Sequence, residues 1–313
     1  MSEPGLPPFE SIIAGLTARP LARCVVVAPH SVEAIAAVAQ VVAEGAVLDL
    51  TGDRARIKNL LAEAEVDVSA VRIHDSGDSD TAVDRAVDLI RTGDAEFVVK
   101  GSIPTADLLG GLLRQRLPGR SACASHIYVM QLEQFGGRTV LLTDAGVNIE
   151  PDLATKAAIV ENALQLYSVL SSARPRLAVL SAIEKVSTRI PATLDAAELR
   201  LMAERGKLGA VDVDGPMPLD AALFPESAVN KNLAGEVAGQ ADILLAPDLN
   251  SGNLLAKALV GHHAPAMGVV LGAGVPVALP SRGDTVATRR HSFYLASHLT
   301  RSAATSPNGC DRE

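Results

Sequence analysis

Short apolar runs rich in Val, Ile and Leu alternate with longer amphipathic stretches through most of the 313 residues. RCVVVAP from Arg23 precedes SVEAIAAVAQVVAE, AVLDLTG from Ala46 precedes DRARIKNLLAEAE, VRIHD from Val71 precedes a polar-faced helical stretch, and EFVVKG starts at Glu96. Strand, helix, strand in this order predicts a parallel sheet wrapped by crossover helices, so the fold class is α/β. At Ala124 the rhythm changes. ASHIYVMQL and RTVLLTDAG, the latter from Arg138, are separated by a few residues that include Gly136 and Gly137, which predicts an antiparallel hairpin closing the first half.

From Pro151 a long helix carries Leu153, Ala157, Val160, Leu164 and Tyr167 as one apolar stripe and leads into a second half. There the α/β pattern resumes, with strands predicted at RLAVLS from Arg176, GAVDVDG from Gly209, ADILLAPD from Ala241, MGVVLG from Met267 and PVALPS from Pro276. The segment between Gly283 and Thr300 reads as helix, and the tail SPNGCDRE is polar. A single hydrophobic core seldom grows past about 250 to 300 residues. Two α/β domains around a cleft are therefore expected, one of residues 1–146 with 286–313 and one of 147–285. Domain interfaces and the carboxyl ends of strands are where such folds bind ligands.

Composition narrows the function. Lys and Arg number 28 against 36 Asp and Glu, a net charge of -8, where a nucleic-acid surface would read basic. Aromatic residues are 3% with no Trp, which also disfavours a stacking platform for single strands and leaves Ala, Val, Leu and Ile to build the core. Cys24, Cys123 and Cys310 are too few and too scattered for a disulfide framework, and no CxxC pair points to zinc, so a reducing cytoplasmic setting is expected. MSEPGLPPFESIIAGL is acidic and broken by prolines, unlike a signal peptide, and no apolar run approaches the roughly 18 residues of a membrane helix.

Three segments share one design, a strand end followed by a Gly-, Ser- or Thr-containing turn and a helix start: Lys100 to Thr105, Asp248 to Asn253 and Ser281 to Thr285. Unpaired N–H groups and the helix dipole suit such turns to phosphate or carboxylate. Lys100 and Arg282 add positive charge to two of them, although each turn alone also fits ordinary capping. The nucleotide signatures fail. Gly272-Ala273-Gly274 lacks the third glycine and meets Pro276 where a helix should begin, and Gly206-Lys207 lacks the spacing of a P-loop. Cys123 with His126 could form a nucleophile and base, but strand or core roles fit them better. His262-His263 reads as a helix C-terminal pair, and Asp144, Asn148 and Asp152 as turn and cap residues before a metal site.

On VVKGSIPTADLL, SHIYVMQL, LLTDAGVNIEPDLATKAAIVENA, VLSAIEKVSTRIPATLDAAEL, VDGPMPLDAAL, AGQADILLAPDLNSGNLLAKAL and MGVVLGAGVPVALPSRGD, the chain resembles the phosphate acetyltransferase and phosphate butyryltransferase family, nearer the butyryl branch. The resemblance covers most of Val98 to Asp284. It implies an isocitrate and isopropylmalate dehydrogenase-like fold, usually as a homodimer, and reversible transfer of a short acyl group between coenzyme A and inorganic phosphate. Acyl-CoA, phosphate and acyl phosphate would be substrates, with no permanently bound cofactor and no metal.

The same resemblance assigns Ser281 and Arg282 to the reacting phosphate or carbonyl, and Lys100, Thr105 and Asn253 to the phosphate and CoA cleft; Lys257, one helical turn after Asn253, is expected to face the same cleft, although a solvated helix lysine also fits. Acetyl-type members are similar to one another in an Asp seven positions after the Ser, where this chain has Thr288; the butyryl-type Ser-Arg-x-Asp fits Ser281 to Asp284 instead. Asp284 is then a base for the thiol or a helix-opening cap. Lys100, Arg282, Arg289 and Arg290 are expected to give the cleft its positive potential. Two other readings stay open, a nicotinamide-dependent hydroxy-acid dehydrogenase of the same fold and a catalytically inactive ligand-binding relative.

Overall fold

The computed structural model describes residues 5–260, 264–281 and 283–305, with no side chains beyond residue 300. In chain order the first half holds α1 (Phe9–Thr17), β1 (Cys24–Val27), α2 (Val32–Ala43), β2 (Leu48–Gly52), α3 (Arg54–Glu63), β3 (Val71–Asp75), α4 (Ser79–Arg91), β4 (Phe97–Lys100), α5 (Thr105–Arg114), β5 (Ser125–Leu132) and β6 (Arg138–Thr143). There follow α6 (Leu153–Leu170), β7 (Arg176–Leu180), α7 (Pro191–Glu204), β8 (Asp212–Met217), α8 (Leu219–Leu223), α9 (Pro225–Asn230), β9 (Ile243–Leu245), α10 (Leu249–Val260), β10 (Ala266–Leu271), β11 (Val277–Ala278) and α11 (Val286–Thr305). Every apolar run read as a strand forms one. The Pro-rich start, in contrast, becomes α1, which buries Phe9, Ile12 and Leu16.

All the strands join one sheet in the order β3-β2-β1-β4-β11-β10-β5-β6-β9-β7-β8. It is mixed rather than wholly parallel. One parallel block, β3-β2-β1-β4-β11, runs one way, and a second, β6-β9-β7-β8, runs the other. Antiparallel pairings of β10 with β11, β10 with β5 and β5 with β6 join them. The predicted hairpin of β5 and β6 is present. The β10–β11 pair, which the sequence rhythm groups with the later strands, lies instead between β4 and β5, because periodicity identifies a strand but not its hydrogen-bonding partner.

Alternate residues of each strand face opposite sides of the sheet. On one side Val26, Leu50, Phe97, Val129, Leu141, Leu177 and Ile243 belong to a single apolar layer shared with Phe9, Ile35, Tyr167 and Phe293 from α1, α2, α6 and α11. On the other side there are two separate cores. Val25, Val27, Val98 and Val270 pack with Val83, Val87, Leu108 and Leu112 of α4 and α5, whereas Met130, Val140, Leu142 and Leu244 pack with Ala221, Ala222, Ala256 and Leu259 of α8 and α10. Between these two cores, above the central strands, the helix layer parts.

β7 and β9 are locked by a buried pair. The Asp242 carboxylate takes the Arg176 backbone N–H at 3.0 Å, Nε at 2.8 Å and Nη2 at 2.8 Å, with the two residues 2% and 8% exposed. Removing one partner strands the other charge away from water. Asp242→Ala is expected to lower unfolding free energy by about 3 to 5 kcal/mol in a urea titration; a loss within about 1 kcal/mol would mean the pair behaves as a surface bridge.

Candidate active site

The gap in the helix layer is a cavity of about 420 Å³, and its walls include segments from all three predicted turns. Lys100, Ile103, Pro104 and Thr105 come from the β4–α5 turn, Asn253, Ala256 and Lys257 from α10, and Leu279, Pro280 and Ser281 from the segment after β11. His126 and Tyr128 of β5 and Ala145 and Gly146 after β6 complete it. Loops from opposite ends of the sheet meet here because β4 and β11 run one way and β6 and β9 the other, so the turns that follow them leave from opposite ends of the central strands.

Each turn is built by local contacts. Gly101 and Ser102 donate to the carbonyls of Val27 and Ala28 at 2.9 and 2.7 Å, so the backbone after Lys100 presses on β1. A side chain at Gly101 would collide with the Ala28 carbonyl oxygen. Thr105 opens α5, with Pro104 immediately before it rather than in its first turn. Lys100 itself is 5% exposed, with Nζ 3.3 Å from the Gly101 carbonyl. Asp248 caps α10 through Ser251 N–H at 2.8 Å.

Asp144 organises the opposite wall. Its oxygens accept from the backbone N–H groups of His126, Gly146, Val147 and Asn148 at 2.8 to 3.2 Å, and from Asn148 Nδ2 at 2.6 Å. With Asp152 capping α6 through Thr155 N–H, this trio fills turn and cap roles. Among the described residues no cluster of three or more His, Cys, Asp or Glu is arranged for a metal. Gly252 sits so close to the Asp144 carbonyl that a Cβ would collide with it. This contact brings the neighbouring Asn253 Nδ2 to 3.1 Å from the Ala145 carbonyl. Lys257, one turn further on, stands exposed at the rim.

The third turn separates the two roles open to Asp284. Thr285, not Asp284, caps α11, accepting Thr288 N–H at 3.1 Å. Asp284 Oδ2 instead accepts Ser281 N–H at 2.7 Å. Asp284 lies behind Ser281, not on the cavity wall, and burial raises its carboxyl above the usual range against the opposing pull of Arg289 and Lys100. Arg289 is buried and clamps the same turn through the Ser281 and Asp284 carbonyls at 2.8 and 3.3 Å. Arg290, expected in the cleft, turns away to Glu44 at 2.6 Å and lies over the Tyr294 ring. Arg282, His262, His263 and Cys310 lie outside the described residues.

The structure also brings in residues that the sequence reading had set aside or passed over. His126 is 3% exposed and its ring lies against Tyr128, with centroids 4.5 Å apart and planes inclined by 51°. Burial and then the Lys100 charge push it down to about 4, against Asp144. Cys123, its imagined partner, is a half-buried thiol packed against the core. Burial pushes it up to about 11, and Sγ faces the Thr155 carbonyl at 3.8 Å. The one available signal was SHIYVMQL itself, a strand with Ser, His and Tyr where neighbouring buried strands carry Val and Leu.

Residues 79–295 match the family model described as phosphate acetyl/butaryl transferase, more than half of the chain. The chain belongs to this family. It is 42% identical over 255 residues to a phosphate acetyltransferase of Rhizobium meliloti, covering 79% of this chain and 78% of that one. It is 36% identical over 249 residues to a phosphate butyryltransferase of Clostridium acetobutylicum, covering 79% and 82%. A solved branched-chain phosphotransacylase from Enterococcus faecalis superposes with a TM-score of 0.76 at 29% identity, over 90% of this chain and 99% of the other. A phosphotransacetylase from Streptococcus pyogenes, 22% identical, shares the fold with a TM-score of 0.77 over 94% and 99%.

The Gly252 contact generates a test. Gly252→Ala is expected to cost about 1 to 3 kcal/mol in urea unfolding, as overpacking does, and to displace Asn253 from Ala145 in a crystal structure. Unchanged stability with Asn253 still in place would show that the contact has slack.

Proposed function

We propose that the cavity transfers a short acyl group between coenzyme A and inorganic phosphate. The observation that carries this reading is the convergence of Lys100, Thr105, Asn253 and Ser281 on one cavity in a chain of the transferase family. Lys100 at the end of β4 and Lys257 at the rim supply positive charge for phosphate, while Thr105 and Ser281 offer hydroxyls and Asn253 its amide. Ile103, Ala145, Ala256 and Leu279 give the acyl chain an apolar wall.

In the direction of acyl-CoA formation, the thiol sulfur attacks the carbonyl carbon of the acyl phosphate. The carbon–sulfur bond forms, the carbon–oxygen bond to phosphate breaks, and phosphate leaves with the electron pair. We assign the thiol proton to Asp284, which does not line the cavity and receives it through the Ser281 hydroxyl that stands between; Oδ2 is taken by Ser281 N–H, leaving Oδ1 as the acceptor. Burial supports this role by raising the carboxyl's proton affinity toward that of a thiol near about 8.5. Ser281 then positions the phosphate or carbonyl, with Arg282 the adjacent cation. A likeness to the isocitrate dehydrogenase fold and a homodimer rest on the resemblance read in the sequence, and a cytoplasmic location on the few, scattered cysteines. No helix among the described residues is long and apolar enough to cross a membrane. The acyl group belongs to the two- to four-carbon class; similarity to acetyl- and butyryltransferases alike supports the class without dividing it.

Purified protein mixed with acetyl-, propionyl-, butyryl- or isobutyryl-CoA, without added metal or nucleotide, is expected to release thiol only when phosphate is present. Thiol release independent of phosphate, or none with any of the four, would contradict the reading. Asp284→Asn is expected to lower kcat by about 10²- to 10⁴-fold. In the wild type, kcat/KM should fall as pH drops through a value above the ordinary aspartate's roughly 3.9, because burial favours the neutral carboxyl and the base must be ionised. An acid limb that persists unchanged in the Asn variant would assign the proton to another group.

A further inference from the structure

His126 and Tyr128 are the titratable cavity residues that the mechanism above leaves without a task, and the fold has made room for the histidine. Its ring lies between two glycines: a Cβ at Gly268 would stand 2.8 Å from Nε2, and one at Gly146 would stand 2.8 Å from Nδ1. Gly146 lines the cavity, so Nδ1 is on the cavity edge of the ring; Gly268, beside Nε2, does not line it. Nε2 is buried and has no hydrogen-bond partner among the described residues.

A neutral imidazole carries one N–H and one lone pair. The ring is held neutral by burial and by Lys100. Orphaned buried N–H groups are rarer than under-satisfied acceptors, so the closed slot at Gly268 favours the lone pair on Nε2 and places the hydrogen on Nδ1. That puts a neutral donor on the cavity wall, among cations suited to phosphate. Neutral donors suit a carbonyl oxygen gathering negative charge in acyl transfer, and the N–H of a neutral imidazole is too weak an acid to give its proton away to the oxyanion.

We propose that His126 donates a hydrogen bond from Nδ1 to the acyl carbonyl oxygen and stabilises the charge that develops there as the thiol adds and phosphate departs. This rests on the acyl-transfer reading above. No proton is transferred by His126: the N–H strengthens its hydrogen bond as the carbonyl π electrons move onto oxygen, and relaxes when the carbon–oxygen bond to phosphate breaks.

The test uses the full chain, with the acyl-CoA that the wild type turns over fastest. His126→Leu is expected to lower kcat by about 10²- to 10³-fold, the usual loss for one oxyanion donor, with KM for phosphate within about threefold. His126→Asn, whose amide nitrogen can occupy the Nδ1 position, should recover at least about tenfold of that loss. Folded Leu and Asn variants with equal kcat, or a Leu variant that raises phosphate KM at unchanged kcat, would overturn the assignment. Should the variants fail to fold, ¹⁵N spectra of the wild-type histidine rings decide: a proton on Nδ1 of His126 supports the proposal and a proton on Nε2 removes it. An active wild type with an unaffected Leu variant removes this inference alone, whereas a wild type without phosphate-dependent thiol release removes the acyl-transfer reading as well.

Discussion

The insertion of the β10–β11 hairpin between β4 and β5 is the constraint from which the site follows. Val277 and Ala278 pair with Val98 and Val99, so one residue further along the two strands, Leu279 comes level with Lys100. In the antiparallel direction Gly268 pairs with Tyr128, and Val270 with His126. Backbone hydrogen bonds thus set Lys100, Ser281, Tyr128 and His126 around one opening although up to 181 positions separate them in the chain. α11 secures the insertion: Ser292 accepts Gly268 N–H at 3.0 Å and donates to the Thr288 carbonyl at 2.8 Å.

Electrostatics acts locally against the net charge. An acidic chain of -8 places a nearly buried lysine beside the cavity, and that one charge reaches two neighbours. It pulls His126 down and opposes the rise of Asp284. An imidazole kept neutral and a carboxyl made more basic by burial are two different tools made from one environment. Nearby, Arg289 is committed to carbonyls of the Ser281 turn, so its contribution is to hold Ser281 in place.

Much of this was legible in the sequence, and the limits have physical causes. Each strand run announces itself by composition, and the three turns by a strand end followed by a helix start. Their convergence needed the family resemblance, because a turn's chemistry carries no information about which other turn it faces. Strand order was illegible for the same reason: Met267 to Leu271 reads as one more buried strand wherever it pairs. His126 was set aside because a histidine in a buried strand reads alike as core or as site; only the glycines on either edge of the ring separate the two. Arg290 was expected in the cleft on charge alone, and Glu44 draws it elsewhere.

The central claim is that the three turns form one anion-binding cavity. A crystal structure of the protein grown with inorganic phosphate and coenzyme A tests it most directly. The account places phosphate within hydrogen-bond distance of Lys100 Nζ and Ser281 Oγ, with the coenzyme's sulfur entering the same cavity. Phosphate and sulfur bound together at another site, with this cavity holding only water, would contradict it.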